Sequence, residues 1–257
     1  MGQALVSGFL ANGLLKPQDI CVFDTDIDKA ESFSRKISCS FANDLSSAVK
    51  DADYCLLAVK PQVIDKVVYD LLQTLSNSAV IISIAASVKI SRLRALLREG
   101  TPIARVMPNT PALVGAAVNA ICFDKVSKED QSFVLSLFST CGMVVPCTET
   151  QLDAIGCVSG TGPAYVMLFI ESLADAAVKL GIPRDTALKI AAQTVYGSGK
   201  LALETGMHPA LLKDQVCSPG GTTIEGVLAL EKYGLRAAVE AAVEAADQKT
   251  KLLAGGS

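Results

Sequence analysis

Tyr54-Cys55-Leu56-Leu57-Ala58-Val59-Lys60-Pro61 is an almost unbroken apolar run closed by a cation and a proline. A short run that does not alternate apolar with polar residues fits a strand buried on both faces, as in a parallel sheet covered by helices. The pattern recurs on either side. Upstream, Ile20-Cys21-Val22-Phe23 stops at Asp24-Thr25-Asp26; downstream, 79–83 and 103–107 are runs of the same kind. Between them apolar residues return at helical spacing over 28–37, 45–49, 63–75 and 90–98, and a helical stretch at 5–15 closes at Asn12-Gly13. An apolar segment at 116–123, a helix near 128–138 and a strand near 143–146 complete the series. Strands and helices taking turns predict an α/β domain over 1–148, with a parallel sheet and helices on both faces.

After Glu149 the character changes to long helical patterns, at 164–180, 185–204, 211–216, 224–233 and 237–253, ahead of a loose Gly255-Gly256-Ser257 tail. This predicts an all-α domain over 149–257. Several of its helices, notably 187–192 and 237–246, are small and apolar on more than one face. A helix wetted on half its surface is not written that way, so a partner subunit is expected against this domain.

The totals narrow the function. The 257 residues suffice for one large or two ordinary domains, and half are hydrophobic. With 23 basic and 26 acidic residues there is no basic field of the kind nucleic acid or an anionic membrane requires. Small molecules and protein partners remain. The eight cysteines form no C-x-x-C pair and mostly lie in apolar runs, as buried thiols do. A reducing compartment without structural metal is expected, and a lone His208 agrees. No apolar stretch is long enough to span a bilayer and no leader pattern is present, so neither a membrane span nor a secretory signal is expected.

Parallel sheets bind ligands at the carboxyl ends of their strands, which makes the residues just past each strand informative. Asp24 follows the 20–23 strand about 20 residues after Gly2, the spacing of a ribose-binding acid in a dinucleotide fold; alone, an Asp there is an ordinary helix cap. Ala58-Val59-Lys60-Pro61 sets a cation where phosphates would lie, and serves equally as a strand-to-helix turn. Ala85 and Ala86 leave room for a flat ring, or for close packing. Pro108 and Pro111 bracket Asn109-Thr110 in a stiff loop whose polar groups can face a ligand. Ser159-Gly160-Thr161-Gly162-Pro163 opens a helix with free amides. Finally Cys217-Ser218-Pro219-Gly220-Gly221-Thr222-Thr223 runs into the 224–233 helix, a turn able to hold a carboxylate, or simply a capped helix start.

Taken together these segments resemble the pyrroline-5-carboxylate reductase family, collinearly over essentially the whole chain. The resemblance rests on Met1-Gly2-Gln3-Ala4, Ala58-Val59-Lys60-Pro61-Gln62, Arg105 through Pro111, Glu149 with Asp153-Ala154, Ser159 through Tyr165, and above all Asp214 through Thr223. It implies a Rossmann-type amino-terminal domain and an all-helical carboxyl-terminal domain that dimerises, with dimers often assembling into a decamer. It implies a cofactor, NADPH or NADH, contacted by Gly2, Asn43, Ala58, Val59, Lys60, Pro61, Ala85, Ala86 and Asn109. It also implies a substrate held by Gly221, Thr222 and Thr223, with Glu149 nearby. A cytoplasmic location is expected, with the mitochondrial matrix as the alternative.

Two departures stand out. The chain enters its first helix at Met1-Gly2, so the first strand and first two glycines of the dinucleotide motif are expected to be missing from this sequence. Secondly, Asp24-Thr25-Asp26 stands where NADPH-preferring members of the family tend to carry serine-like residues. A carboxylate there accepts from a free ribose hydroxyl and repels a 2′-phosphate, which points toward NADH.

The reaction expected is hydride transfer to the carbon of a cyclic imine. Amides of the glycine turn would hold the substrate carboxylate and Thr223 would bond the ring nitrogen, so placement does most of the work. Two rival readings are a hydroxyacid dehydrogenase using Lys179 or Lys200 as acid–base, and a non-catalytic oligomerising protein.

Overall fold

The protein is described by a computed structural model covering residues 1–11 and 13–255. Asn12 and the Gly256-Ser257 part of the expected tail lie outside the described residues. In chain order the first elements are α1 (Gly2–Ala11), β1 (Cys21–Val22), α2 (Ile27–Ile37), β2 (Ser40–Phe41), α3 (Leu45–Val49), β3 (Tyr54–Leu57), α4 (Ile64–Leu71), β4 (Val80–Ser83) and α5 (Ile90–Leu96). Then follow β5 (Ile103–Met107), β6 (Ala117–Asp124), α6 (Lys128–Ser139), β7 (Gly142–Pro146) and α7 (Glu149–Ser159). Local chemistry sets the ends. Asp26 caps α2 through the Lys29 N–H, Asp44 caps α3 through Ser47, and Ser127 caps α6 through Asp130. Ser38, in the left-handed region at φ 59°, stops α2.

The central sheet has the order β3-β4-β5-β6-β7, and β1 pairs with β2 in a separate parallel pair. β3, β4 and β5 run parallel, with Leu56 opposite Ile82 and Ile82 opposite Ala104. Successive side chains of β4 serve opposite faces. Val80 and Ile82 join Leu5, Phe9, Val106 and Phe138 on one side, where α1 and α6 pack and the Phe9 and Phe138 rings meet edge-on at 5.3 Å. Ile81 joins Leu57, Ile64, Val68, Leu93 and Ile103 on the other, under α4 and α5. Each such fully buried side chain contributes roughly 1.5–3 kcal/mol, so the two apolar layers hold the sheet between them.

One expectation is corrected. β6 runs antiparallel to β5, with Val106 opposite Ile121, and parallel to β7. A parallel crossover needs about a dozen residues or more, usually a helix, whereas 108–116 supply only a single 3-10 turn at Thr110–Val114. The chain therefore reverses. β7 begins at Gly142, whose φ of +144° brings its Cα against the Ala117 backbone. β2 was not predicted, being two residues long and without periodicity.

The contacts divide the chain into two compact units, 1–160 with 247–257, and 161–246. The change of element type at 148/149 thus differs from the change of unit. α7 is grouped with the sheet because Leu152 is buried against Ala120 and Cys122. The second unit contains α8 (Gly162–Lys179), α9 (Arg184–Thr205), α10 (Pro209–Val216), α11 (Thr222–Lys232) and most of α12 (Leu235–Gly255). Gly181 at φ +93° turns α8 back into α9, and Ala174, Ala187 and Ala191 form a close seam. Little else is enclosed: Met167, Leu168, Tyr196, Leu203 and Leu228 are all more than half exposed.

Candidate cofactor and substrate sites

In the first unit the expected cofactor residues follow the strands. Gly2 opens α1 directly against the end of β3, so close that a Cβ there would lie 2.8 Å from the Ala58 Cβ. The chain bends at Val59, Lys60 is extended, and Pro61 begins a 3-10 turn into α4. The exposed Lys60 ammonium has no ion-pair partner among the described residues. Ala85, buried, and Ala86, exposed, follow β4; Ser87 beside them takes φ +63°. The cradle of Gly2 and Ala58 carries nothing larger than a methyl group, and the exposed Lys60 follows it in the chain. Such a surface fits a dinucleotide whose phosphates approach the backbone closely.

Asp24 lies two residues past β1, and Asp26, not Asp24, caps the following helix. The Asp24 carboxylate accepts from the Asp26 N–H at 3.1 Å and from Lys29 Nζ at 2.5 Å. Partial burial works against its charge, yet these two bonds and the Lys29 charge together hold it below the usual carboxylate range. Asn43 follows β2, exposed, next to the α3 cap Asp44.

Of two further expected contact residues, one is buried and the other is held by an arginine while remaining partly exposed. Asn109 is buried: its amide donates to the Ser159 carbonyl at 2.9 Å and its oxygen accepts from the Val118 N–H at 3.0 Å. It pins the 108–116 loop to β6 and to the end of α7, because the Val118 N–H would otherwise be buried unpaired. Glu149 Oε1 accepts from Arg105 Nη1 at 2.9 Å and from the Ile90 N–H at 2.7 Å, while Arg105 Nη2 donates to Asp153 at 2.7 Å. The guanidinium is almost fully buried and its two carboxylates are about one-third exposed. This fork ties β5 to the first turns of α5 and α7. The signal was an arginine inside the apolar strand 103–107 with carboxylates at 149 and 153, one helical turn apart.

In the second unit, Gly220 takes φ +67°, and a Cβ on Gly221 would lie 2.3 Å from Ser218 Oγ. The Gly221 N–H donates to the Ser218 carbonyl at 3.0 Å. No side chain caps α11, so the N–H groups of Thr222, Thr223 and Ile224 open its amino end without a side-chain acceptor. Such a terminus suits a carboxylate. Of the rival lysines, Lys200 pairs with Glu204 at 3.6 Å and Lys179 lies exposed in the last turn of α8, both as solvated helix lysines.

A Rossmann-type layered domain with a methyl-lined cradle, joined in sequence to an all-helical unit bearing an open anion turn, defines a dinucleotide-dependent oxidoreductase. Residues 149–253 match the family model described as pyrroline-5-carboxylate reductase dimerisation, and 1–87 match that of NADP oxidoreductase coenzyme F420-dependent. The pyrroline-5-carboxylate reductases of Escherichia coli and Methanosarcina acetivorans are each 41% identical over 254 residues, which is 98% of this chain and 94% of theirs. The solved pyrroline-5-carboxylate reductase of Coxiella burnetii superposes with a TM-score of 0.91 at 34% identity, over 98% of this chain and 94% of that one. The Plasmodium falciparum pyrroline carboxylate reductase, solved with NADP bound, gives 0.88 at 32% over 99% and 94%. This chain belongs to the pyrroline-5-carboxylate reductase family.

Proposed function

We propose that this chain reduces the cyclic imine 1-pyrroline-5-carboxylate to proline with NAD(P)H. The observation that carries the reading is the uncapped amino end of α11 behind Gly220-Gly221, in a chain collinear with reductases named for that substrate. The bound reduced nicotinamide supplies a hydride. Everything else falls to this chain's own groups. The N–H groups of Thr222 and Thr223 hold the substrate carboxylate, and the Thr223 hydroxyl bonds the ring nitrogen, fixing the face on which the imine carbon is exposed. A protonated imine is already electrophilic, so no buried histidine or lysine acid is required.

For the dinucleotide, Gly2, Ala58, Val59 and Pro61 provide the close backbone surface and Lys60 the cation. Ala86 lines the ring, Ala85 being buried in the apolar core instead, and Asp24 with Asn43 meets the adenosine end. Glu149 and Asn109 act as positioning residues. The protein acts at least as a homodimer through the helical unit, whose apolar residues stand exposed in one chain. Assembly of dimers into a decamer is the further form we propose, read out by light scattering. The compartment we propose is the cytoplasm.

The test is NAD(P)H oxidation with the cyclic imine against a panel of hydroxyacids. Turnover of the imine alone supports the reading. Turnover of hydroxyacids revives Lys179 or Lys200, and no turnover with either substrate class, in protein that binds the dinucleotide, rejects reductase activity.

A further inference from the structure

We propose that Asp24 and Lys29 form a specificity pair. Asp24 makes this chain prefer NADH over NADPH, and Lys29, tied to Asp24, is the cation that a 2′-phosphate would need and cannot reach. The inference rests on the reading of the first unit as a dinucleotide site and deepens it to the choice of cofactor.

Asp24 stands just past β1, where an acid faces the adenosine ribose in this fold. Each of its oxygens is already engaged once, Oδ1 by the Asp26 N–H and Oδ2 by Lys29 Nζ. A carboxylate oxygen accepts in two directions, so each retains capacity for a ribose hydroxyl. The side chain is about one-third exposed, enough to be reached. A 2′-phosphate brings charge and acceptors only, and would meet acceptors. Asp26 cannot turn aside, because its own carboxylate caps the Lys29 N–H. Asp28 follows in the first turn of α2, and Asp44 lies beyond β2 next to Asn43. Within 20–34 the acids Asp24, Asp26, Asp28 and Glu31 stand with one cation, Lys29, and it is committed to Asp24 at 2.5 Å. With Asp24 removed, the ammonium is left unpaired beside the ribose position, the arrangement that accommodates a phosphate.

The experiment measures binding by calorimetry, with ADP-ribose and its 2′-phosphate as probes, on the full chain and three variants. Wild type binds ADP-ribose at least about tenfold more tightly than the 2′-phosphate, a charge discrimination of ordinary size for one carboxylate. Asp24→Ser reverses the order, and Lys29→Met added to Asp24→Ser abolishes the gain for the phosphate. Lys29→Met alone keeps the wild-type order. Equal affinities in wild type, or tighter binding of the 2′-phosphate, overturn the proposal while leaving the reductase reading intact. An unchanged phosphate affinity in the double variant relative to Asp24→Ser overturns the part given to Lys29. Binding of neither probe by wild type defeats the dinucleotide reading itself. Lys29 is exposed and Asp24 about one-third exposed, and the folding of each variant is checked by its unfolding midpoint.

Discussion

Replacing Arg105 by Met should loosen the first unit by a calculable amount. The guanidinium is 3% exposed and gives one bond each to Glu149 and Asp153, which are 31% and 30% exposed. Methionine fills most of the volume but leaves two carboxylates one turn apart with no counter-charge. Removing one member of a fully buried pair costs about 3–5 kcal/mol. Here the carboxylates are partly wet and regain hydration, which discounts the figure to about 2–4 kcal/mol. At roughly 2–4 °C per kcal/mol for a chain of this size, the midpoint should fall by roughly 4–16 °C. Urea unfolding gives the free energy, and hydrogen exchange at the Ile90 N–H locates it, since Glu149 accepts that bond at 2.7 Å. Combined with Glu149→Gln, the double variant should fall short of the sum of the singles, as expected of residues in one network. A change within about 0.5 kcal/mol, the range of ordinary surface substitutions, with Ile90 protection intact, would refute the assignment of this fork as the tie between β5, α5 and α7.

Other expectations are quickly stated. Gly142→Ala must place a Cβ 2.3 Å from the Ala117 backbone at φ +144°, and should cost about 3 kcal/mol or more, seen as lost soluble expression or a lowered unfolding midpoint. Thr223→Ala should lower kcat/KM for the cyclic imine by roughly ten- to a hundredfold, the worth of one bond to a charged ligand; unchanged kinetics would remove Thr223 from the site. Burial pushes the Cys55 thiol up to about 12 and, with the Glu149 charge adding to it, the Cys122 thiol up to about 11. Their contribution is complete below the unfolded thiol value and is lost as pH rises through the folded values. Stability under reducing conditions should therefore decline between about pH 9 and 12, less steeply in Cys55→Ala. Leu168→Asp, on an α8 face 63% exposed in the single chain, should shift sedimentation from dimer toward monomer.

The strands were legible where they were buried on both faces. The 103–107 run appears as β5 with the expected bounds, and 79–83 as β4 short of one residue. Periodicity failed where length did: β2 is too short to show any, and α7 was passed over because its apolar positions are interrupted by the residues that meet Arg105. Strand direction is a property of the connection, and the nine-residue reversal before β6 sets that one pairing antiparallel in a sheet otherwise parallel as expected. At the candidate site, the small residues that leave the backbone bare, Gly2 and Ala58, stand out by position, and the structure brings those two together. Asn109 and Glu149 could not be assigned from position, because a polar group after a strand serves a ligand or a buried N–H equally well in sequence. The bonds to the Val118 amide and to Arg105 appear only in the folded chain.

The reversal between β5 and β6 also bears on how the chain finds its shape. Loop-closure entropy grows with the logarithm of the span, so this ladder, joined by the shortest connection in the central sheet, is the least costly seed from which the distant parallel strands can grow. Substitutions at Val106 and Ile121 should then slow refolding nearly in proportion to the stability they remove, whereas changes in β3 should act on unfolding.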